Sequence, residues 1–374
     1  MRKVRIAIDA RVWRIETGGI ARYTQALVRE LLKLDTTNEY TLIVNKADAK
    51  QLGIKAPNLK VLKVDVPQYS LAEQRELLHI LNQEQFDLVH FTNFNHPIRY
   101  KGAFICTVHD LIMHMFPSGA QTKSLVRKAA YRLIMRDTRR AAKILVPSNA
   151  TASDCRLLLG MRDSRMSVIP LGSPVHAKTA LGVSATTLAK FGITGNFLLF
   201  VSRWERYKGL DTLLESFAIL KEEFPDLQLV ICGKPVATSL DVAGLVSAAK
   251  ADGLKVITPG FVTDAELSTL YQKASVYVHP SRYEGFGLMI LEAFAAGVPV
   301  VTSTASCLPE VAGDAALLTN PNSPTELAEK IADILSNPEL AATLKELGLA
   351  RAAEYTWAKT AAATHDAYLQ AITH

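Results

Sequence analysis

The sequence has little cysteine and no long apolar run. Its four cysteines, Cys106, Cys155, Cys232 and Cys307, lie far apart and form no C-x-x-C pair. They read as buried free thiols in a reducing compartment, not as a disulfide framework. No apolar stretch approaches the roughly 20 residues that cross a bilayer. The start, Met1 to Asp9, is a charged lead into a strand with no apolar signal region, so a cytoplasmic protein is expected. Heptads, a Gly-X-Y period and low-complexity tracts are absent, which removes the fibrous and disordered classes. The G-x-G-x-x-G fingerprint is missing, which disfavours a nicotinamide-dependent oxidoreductase. No zinc-finger spacing, RNP-like aromatic motif or helix-turn-helix signal points to nucleic acid.

What is present is globular composition, 49% hydrophobic and 21% charged over 374 residues, long enough for two domains. The net charge of +6 is unevenly spread. Residues 1–185 hold 28 Lys and Arg against 15 Asp and Glu, a net +13. The remainder holds 14 against 21, a net −7. The first half is therefore expected to meet something anionic, such as an acidic membrane face or a phosphorylated substrate.

Short apolar runs alternate with amphipathic stretches along the whole chain. Val4–Ala10, Tyr40–Asn45, Lys60–Val66, Asp87–Phe91, Ala103–Val108 and Lys143–Pro147 read as strands, with helices expected over Ile20–Leu34, Leu71–Leu81, Lys123–Ala142 and Asn149–Leu159. The series then repeats. Strands are expected over Asn196–Ser202, Leu227–Gly233, Lys255–Val262, Ser275–Pro280, Val298–Ser303 and Ala315–Thr319. Helices are expected over Lys208–Glu223, Asp264–Ala274, Gly287–Ala296 and Pro324–Leu335, and the segment Pro338–Ile372 is helical in pattern. This β-α alternation predicts two doubly wound parallel-sheet domains, 1–173 and 190–357, with a low-signal linker between. Ligands of such sheets bind at the carboxyl ends of the strands, so the loops there are the place to look.

Four loops carry chemistry. Gly18 and Gly19 precede a helix and suit either a phosphate contact or a plain turn. His109, in Val108-His-Asp-Leu111, lies just past a strand; the alternative is a structural histidine satisfied by Asp110 or by backbone. Arg203 and Lys208 follow the first strand of the second half beside a helix start, an arrangement able to bind a diphosphate. Tyr283-Glu284-Gly285-Phe286-Gly287-Leu288 leads into a very apolar helix holding Glu292. Its amides offer an oxyanion site, and its two glutamates, eight residues apart, suit sugar hydroxyls. An unpaired Glu292 in that helix would be costly.

Taken together, G-G-I-x-R-Y, V-H-D-L, R-x4-K-G and H-P-S-R-Y-E-G-F-G-L, with the E-x7-E spacing, resemble glycosyltransferase family 4 in order and over essentially the whole chain. Within it the chain looks most like mannosyltransferases of bacterial surface-polysaccharide assembly. The resemblance implies a GT-B fold, two Rossmann-like domains facing across a cleft, with the helix over 358–374 returning to the N-terminal, acceptor-binding domain. It implies sugar transfer with retention from a nucleotide sugar bound by the C-terminal domain. Carried over residue by residue, Arg203 and Lys208 would stabilise the leaving diphosphate, helped by Gly19 and the amides near Phe286–Leu288. Glu284 would hold donor-sugar hydroxyls, Glu292 the ribose, His109 the reacting face of the sugar, and Val262 the base through its backbone.

The physics agrees: a departing diphosphate needs its charge neutralised. The sequence has no Asp-x-Asp metal motif, so the Arg203/Lys208 pair is expected to serve without a metal or other cofactor. The segment 123–143 carries eight basic residues among apolar ones, Arg132, Arg136 and Arg139 included. It suits either a solvated helix face or a peripheral contact with the inner membrane face, where a lipid-linked saccharide acceptor would sit. The leading expectation is a GDP-mannose-dependent transferase. A UDP-hexose or dTDP-rhamnose donor, a sugar-nucleotide 2-epimerase and a catalytically silent binding subunit are the alternatives.

Overall fold

The computed structural model describes residues 3–14, 18–116, 125–173, 185–235, 240–260 and 262–372. They group into two compact units. The first takes in Met1–Leu111, Ser124–Gly172 and Thr356–His374, and the second Ile112–Lys123 and Ser173–Tyr355.

The first unit is built on seven strands: β1 (Arg5–Asp9), β2 (Glu39–Asn45), β3 (Leu59–Val64), β4 (Leu88–Phe91), β5 (Phe104–Thr107), β6 (Lys143–Val146) and β7 (Met166–Val168). They lie in the order β3-β2-β1-β4-β5-β6-β7, every pairing parallel. β4 and β5 are buried at every residue, which a parallel sheet requires when helices cover both faces. Helix Gly19–Leu34 buries Leu27, Val28, Leu31 and Leu32 at helical spacing, and helix Asn149–Leu159 starts on the Ser148 hydroxyl and ends on left-handed Gly160.

The last helix, Trp357–Ile372, packs beside helix Gly19–Leu34. Tyr368 is fully buried with its hydroxyl 2.7 Å from His90 Nδ1, and Thr360 Oγ1 donates to the Pro170 carbonyl at 2.8 Å. A Cβ on Gly172 would lie 2.3 Å from the Trp357 amide nitrogen, so the chain passes there only as glycine.

The second unit has six strands: β8 (Phe197–Val201), β9 (Gln228–Cys232), β10 (Val256–Gly260), β11 (Val276–His279), β12 (Val300–Ser303) and β13 (Ala316–Thr319). Their order is β10-β9-β8-β11-β12-β13, again all parallel. Leu198, Phe200, Leu213, Phe217, Leu229, Ile231, Val276 and Ile331 form its core.

Several elements differ from the sequence expectation. β7 and the helices Ala185–Lys190, Leu240–Ala251 and Leu308–Ala312 were not expected, and β10 stops at Gly260, leaving Val262 in the following loop. The segment expected as continuous helix from Pro338 breaks into Pro338–Glu354 and Trp357–Ile372. Lys123 and most of the linker lie outside the described residues; from the basic segment, Leu125–Thr138 is helical. All four cysteines are buried free thiols.

Candidate active site

Each sheet reverses its winding once, between β1 and β4 in the first unit and between β8 and β11 in the second. Carboxyl ends beside such a reversal are where open sheets bind ligands.

In the second unit, β8 leads through Ser202–Glu205 into a 3-10 turn, Arg206–Lys208, and then into helix Leu210–Glu223. β11 ends at His279 and leads through Pro280–Gly287 into helix Leu288–Ala295. These two loops are locked together. Arg282 forks onto the Asp211 carboxylate at 2.8 and 3.0 Å, and its amide donates to the Tyr207 carbonyl at 2.7 Å. Gly209 is left-handed, and a Cβ there would lie 2.0 Å from the Pro280 carbonyl oxygen.

The lock brings two of the expected residues into contact. Lys208 Nζ donates to Glu284 Oε1 at 2.6 Å, the two side chains being 12% and 11% exposed. His279 Nε2 donates to the same oxygen at 2.8 Å, and the Tyr277 hydroxyl lies 3.2 Å from His279 Nδ1. The Glu284 carbonyl accepts from Ser306 Oγ at 2.6 Å and Cys307 Sγ at 3.1 Å. Ser306 holds a φ of 54°, a left-handed conformation uncommon for a non-glycine residue. Burial alone would raise the Glu284 pKa, but the Lys208 charge and the His279 bond outweigh it and hold it at about 2. The site thus presents an ionised carboxylate and a cation, both largely screened from water.

Glu292 is the fifth residue of helix Leu288–Ala295 and is buried; its Oε2 accepts from the Tyr271 hydroxyl at 3.1 Å. That bond answers the cost of a carboxylate in an apolar helix. Gly287, with φ 87°, precedes this helix, and no side chain caps the amides that start at Leu288. Gly285 lies in the same loop, whereas the Phe286 side chain is buried edge-on to Tyr355, ring centres 5.7 Å apart. Arg203 stands apart from the Lys208–Glu284 pair: its side chain is 69% exposed and 3.6 Å from Glu205. Val262 is half-buried just before the Thr263 cap of helix Asp264–Lys273.

In the first unit, His109 follows β5. Its Nε2 donates to the Thr92 carbonyl at 2.9 Å, and its ring meets Tyr23 edge-on at 4.7 Å. Burial pulls its pKa down to about 4, against the opposing pull of the Thr92 bond. The ring is therefore neutral near pH 7, with its proton on Nε2 and the Nδ1 lone pair available to a hydroxyl. Gly18, with φ 79°, precedes helix Gly19–Leu34, which likewise starts without a side-chain cap. Among the described residues, no group of three or more His, Cys, Asp or Glu side chains is placed to hold a metal ion, and no helix is long and apolar enough to cross a membrane.

Sequence reasoning missed His279, Tyr277, Tyr271 and a buried cluster in the first unit. Two of these left a signal: His279 opens the H-P-S-R-Y-E-G motif, and Tyr277 lies two residues before it on the same face of the strand. In the cluster, Arg11 donates to Asp9 at 2.8 and 2.7 Å and to Glu73 at 2.5 Å, and Asn95 donates to Glu73 as well. Nothing local in the sequence pairs Arg11 with a glutamate 62 residues away.

The geometry has known counterparts. The family model described as Glycosyltransferase Family 4 matches residues 17–175, and that for Glycosyl transferases group 1 matches residues 187–350. The chain is 28% identical to O-antigen chain mannosyltransferase B of Escherichia coli over 94% of this chain and 95% of that one. It is 31% identical to the MMP alpha-(1->4)-mannosyltransferase of Mycolicibacterium hassiacum over 67% of this chain and 60% of that one. Its fold is similar to sucrose-phosphate synthase from Thermosynechococcus elongatus, with a TM-score of 0.77 at 21% identity over 98% and 99% of the two chains. The two Rossmann-like domains make this the GT-B fold. With one model on each half and the motif residues in the loops that the fold uses, the chain belongs to glycosyltransferase family 4.

Proposed function

We propose that this protein is a retaining glycosyltransferase that moves mannose from GDP-mannose to a lipid-linked saccharide acceptor in bacterial surface-polysaccharide synthesis. The observation that carries the reading is the cluster at the β8/β11 reversal in which part-buried Lys208 meets buried Glu284 and His279. The choice of mannose is supported by the mannosyltransferase relatives.

In this reading Lys208 and Arg203 neutralise the departing diphosphate. Gly19 and the amides at Gly285–Leu288 add N–H groups to it. Glu284 accepts sugar hydroxyls, Glu292 those of the ribose, and Val262 meets the base through its backbone. His109, neutral and with Nδ1 free of its proton, accepts from a sugar hydroxyl near the reacting carbon. The bond between the anomeric carbon and the diphosphate oxygen breaks while the acceptor oxygen bonds to that carbon from the same face. The acceptor's proton passes to the diphosphate.

Ligand-induced melting shifts test the donor. GDP and GDP-mannose at about 100 times their dissociation constants should each add about 2.7 kcal/mol. A shift with UDP or dTDP species alone would overturn the mannose assignment. Transfer assayed in EDTA should proceed at the untreated rate and give an α-linked product from the α-linked donor; loss of activity restored by Mn²⁺ or Mg²⁺ would refute metal independence.

The acceptor side is expected to touch the membrane. Helix Leu125–Thr138 exposes Leu125, Val126 and Leu133 next to Arg132 and Arg136, the composition of an interfacial helix. Reversing Arg132 and Arg136 to Glu should abolish co-flotation with phosphatidylglycerol vesicles, and equal flotation of variant and wild type would remove this contact.

A further inference from the structure

A second basic feature lies at the opposite, amino-terminal edge of the first unit's sheet. There β6 and β7 begin, and the helices Leu125–Thr138 and Asn149–Leu159 end. Arg139, Arg140, Arg162 and Arg165, with Ile144 and Gly160, line a pocket of about 430 Å³, within the size range of small-molecule sites.

Two of the four arginines have structural work. Arg165 donates to the carbonyls of Arg139, Arg140 and Ala141 at 3.3, 3.2 and 3.1 Å, which ties down the turn that follows the basic helix. Arg140 forks onto Asp137 at 2.7 and 2.8 Å, reaches the Ile98 and Tyr100 carbonyls, and lies over the Phe104 ring. Both guanidinium groups are thereby held in place. Arg139 and Arg162 have no such assignment. Among the described residues neither side chain has an acidic partner: Asp137 is taken by Arg140 and His96, and Asp163 by Arg156. Two unneutralised guanidinium groups facing a concavity beside two anchored ones repel each other unless an anion sits between them. Guanidinium forks match the oxygens of a phosphate group.

We propose that this pocket binds a phosphate-bearing ligand, a diphosphate or a phosphodiester headgroup, at a site separate from the candidate active site. The proposal does not depend on the donor assignment. It is tested by calorimetric titration of inorganic diphosphate into the Arg203→Gln, Lys208→Met protein, which lacks both charges proposed to bind diphosphate in the second unit. Adding Arg139→Gln and Arg162→Gln should weaken binding roughly tenfold or more, because two charge-assisted contacts are lost. Adding Lys55→Gln and Lys63→Gln instead, both exposed in the same unit, removes equal charge and should change it little. Equal loss in the two variants, or no loss in either, would overturn the site.

Co-sedimentation with vesicles of phosphatidylcholine and one-third phosphatidylglycerol then separates the sources. A matching loss on replacing Arg139 and Arg162 identifies a lipid headgroup. Unchanged sedimentation with lost diphosphate binding identifies a soluble phosphate compound.

Discussion

Lys208→Met is expected to lower kcat/KM for sugar transfer by about 10²–10³ while leaving the fold intact. Met keeps most of the apolar stem and removes the charge. In the proposed reaction negative charge grows on the leaving diphosphate as the glycosidic bond breaks, so the loss should fall mainly on kcat, with a smaller change in KM. A fall in KM affinity with kcat preserved would mean that Lys208 only binds the donor. Activity within about threefold of wild type would remove it from the transition state altogether.

The same variant carries an internal control in its acid stability. Glu284 has a folded pKa of about 2 against an ordinary value of 4.5, held down by Lys208 and His279 against its burial. A depressed carboxylate contributes stability that is fully present above its unfolded pKa and is lost as pH falls through its folded one. For Glu284 that window runs from 4.5 down to about 2. Without Lys208 the Glu284 pKa rises and the contribution shrinks, so the stability of the variant should depend less on pH in this window. A variant inactive but with the wild-type acid profile would show that the ion pair contributes nothing to holding Glu284 ionised.

The fold was legible because its strands are buried on both faces. β4, β5, β9, β11 and β12 are short apolar runs with no exposed residue, bounded by turn residues, and they stand out against amphipathic helices. What escaped notice lacks that contrast. Helix Leu240–Ala251 is mostly small and apolar, with Asp241 and Lys250 at its ends and apolar residues on every face, and β7 is three residues at a sheet edge. The site was legible by residue type but not by partnership. Lys208 and Glu284 are 76 residues apart, and no periodicity says which carboxylate meets which amine. Tyr271, on a separate helix, could not be linked to Glu292 before the packing was known. Arg203 reads in the motif as the equal of Lys208, yet it lies exposed while Lys208 is mostly covered, because the 3-10 turn and Gly209 direct only the latter onto the β11 loop.

Gly209→Ala should therefore damage both stability and activity through one atom. The residue sits at φ 72°, where a side chain costs about 1–2 kcal/mol. The added methyl would also meet the Pro280 carbonyl oxygen at 2.0 Å and its carbon at 2.9 Å. Both are backbone, so no rotamer change relieves the contact, and overpacking of this kind costs about 1–3 kcal/mol. Together these predict a loss of roughly 2–5 kcal/mol, seen as a melting transition lower by about 4–20 °C. The two loops must part for the methyl to fit. Lys208 and the Glu284 loop then separate, and a misplacement near 1 Å is enough to cost about 10² in rate. Gly244→Ala is the matched control: Gly244 lies in helix Leu240–Ala251 at negative φ with nothing within 4 Å of a new Cβ. There the change should stabilise by about 0.5–1 kcal/mol and leave transfer untouched. Wild-type activity in Gly209→Ala, at whatever melting temperature, would mean that the contact between the two loops does not set the position of Lys208.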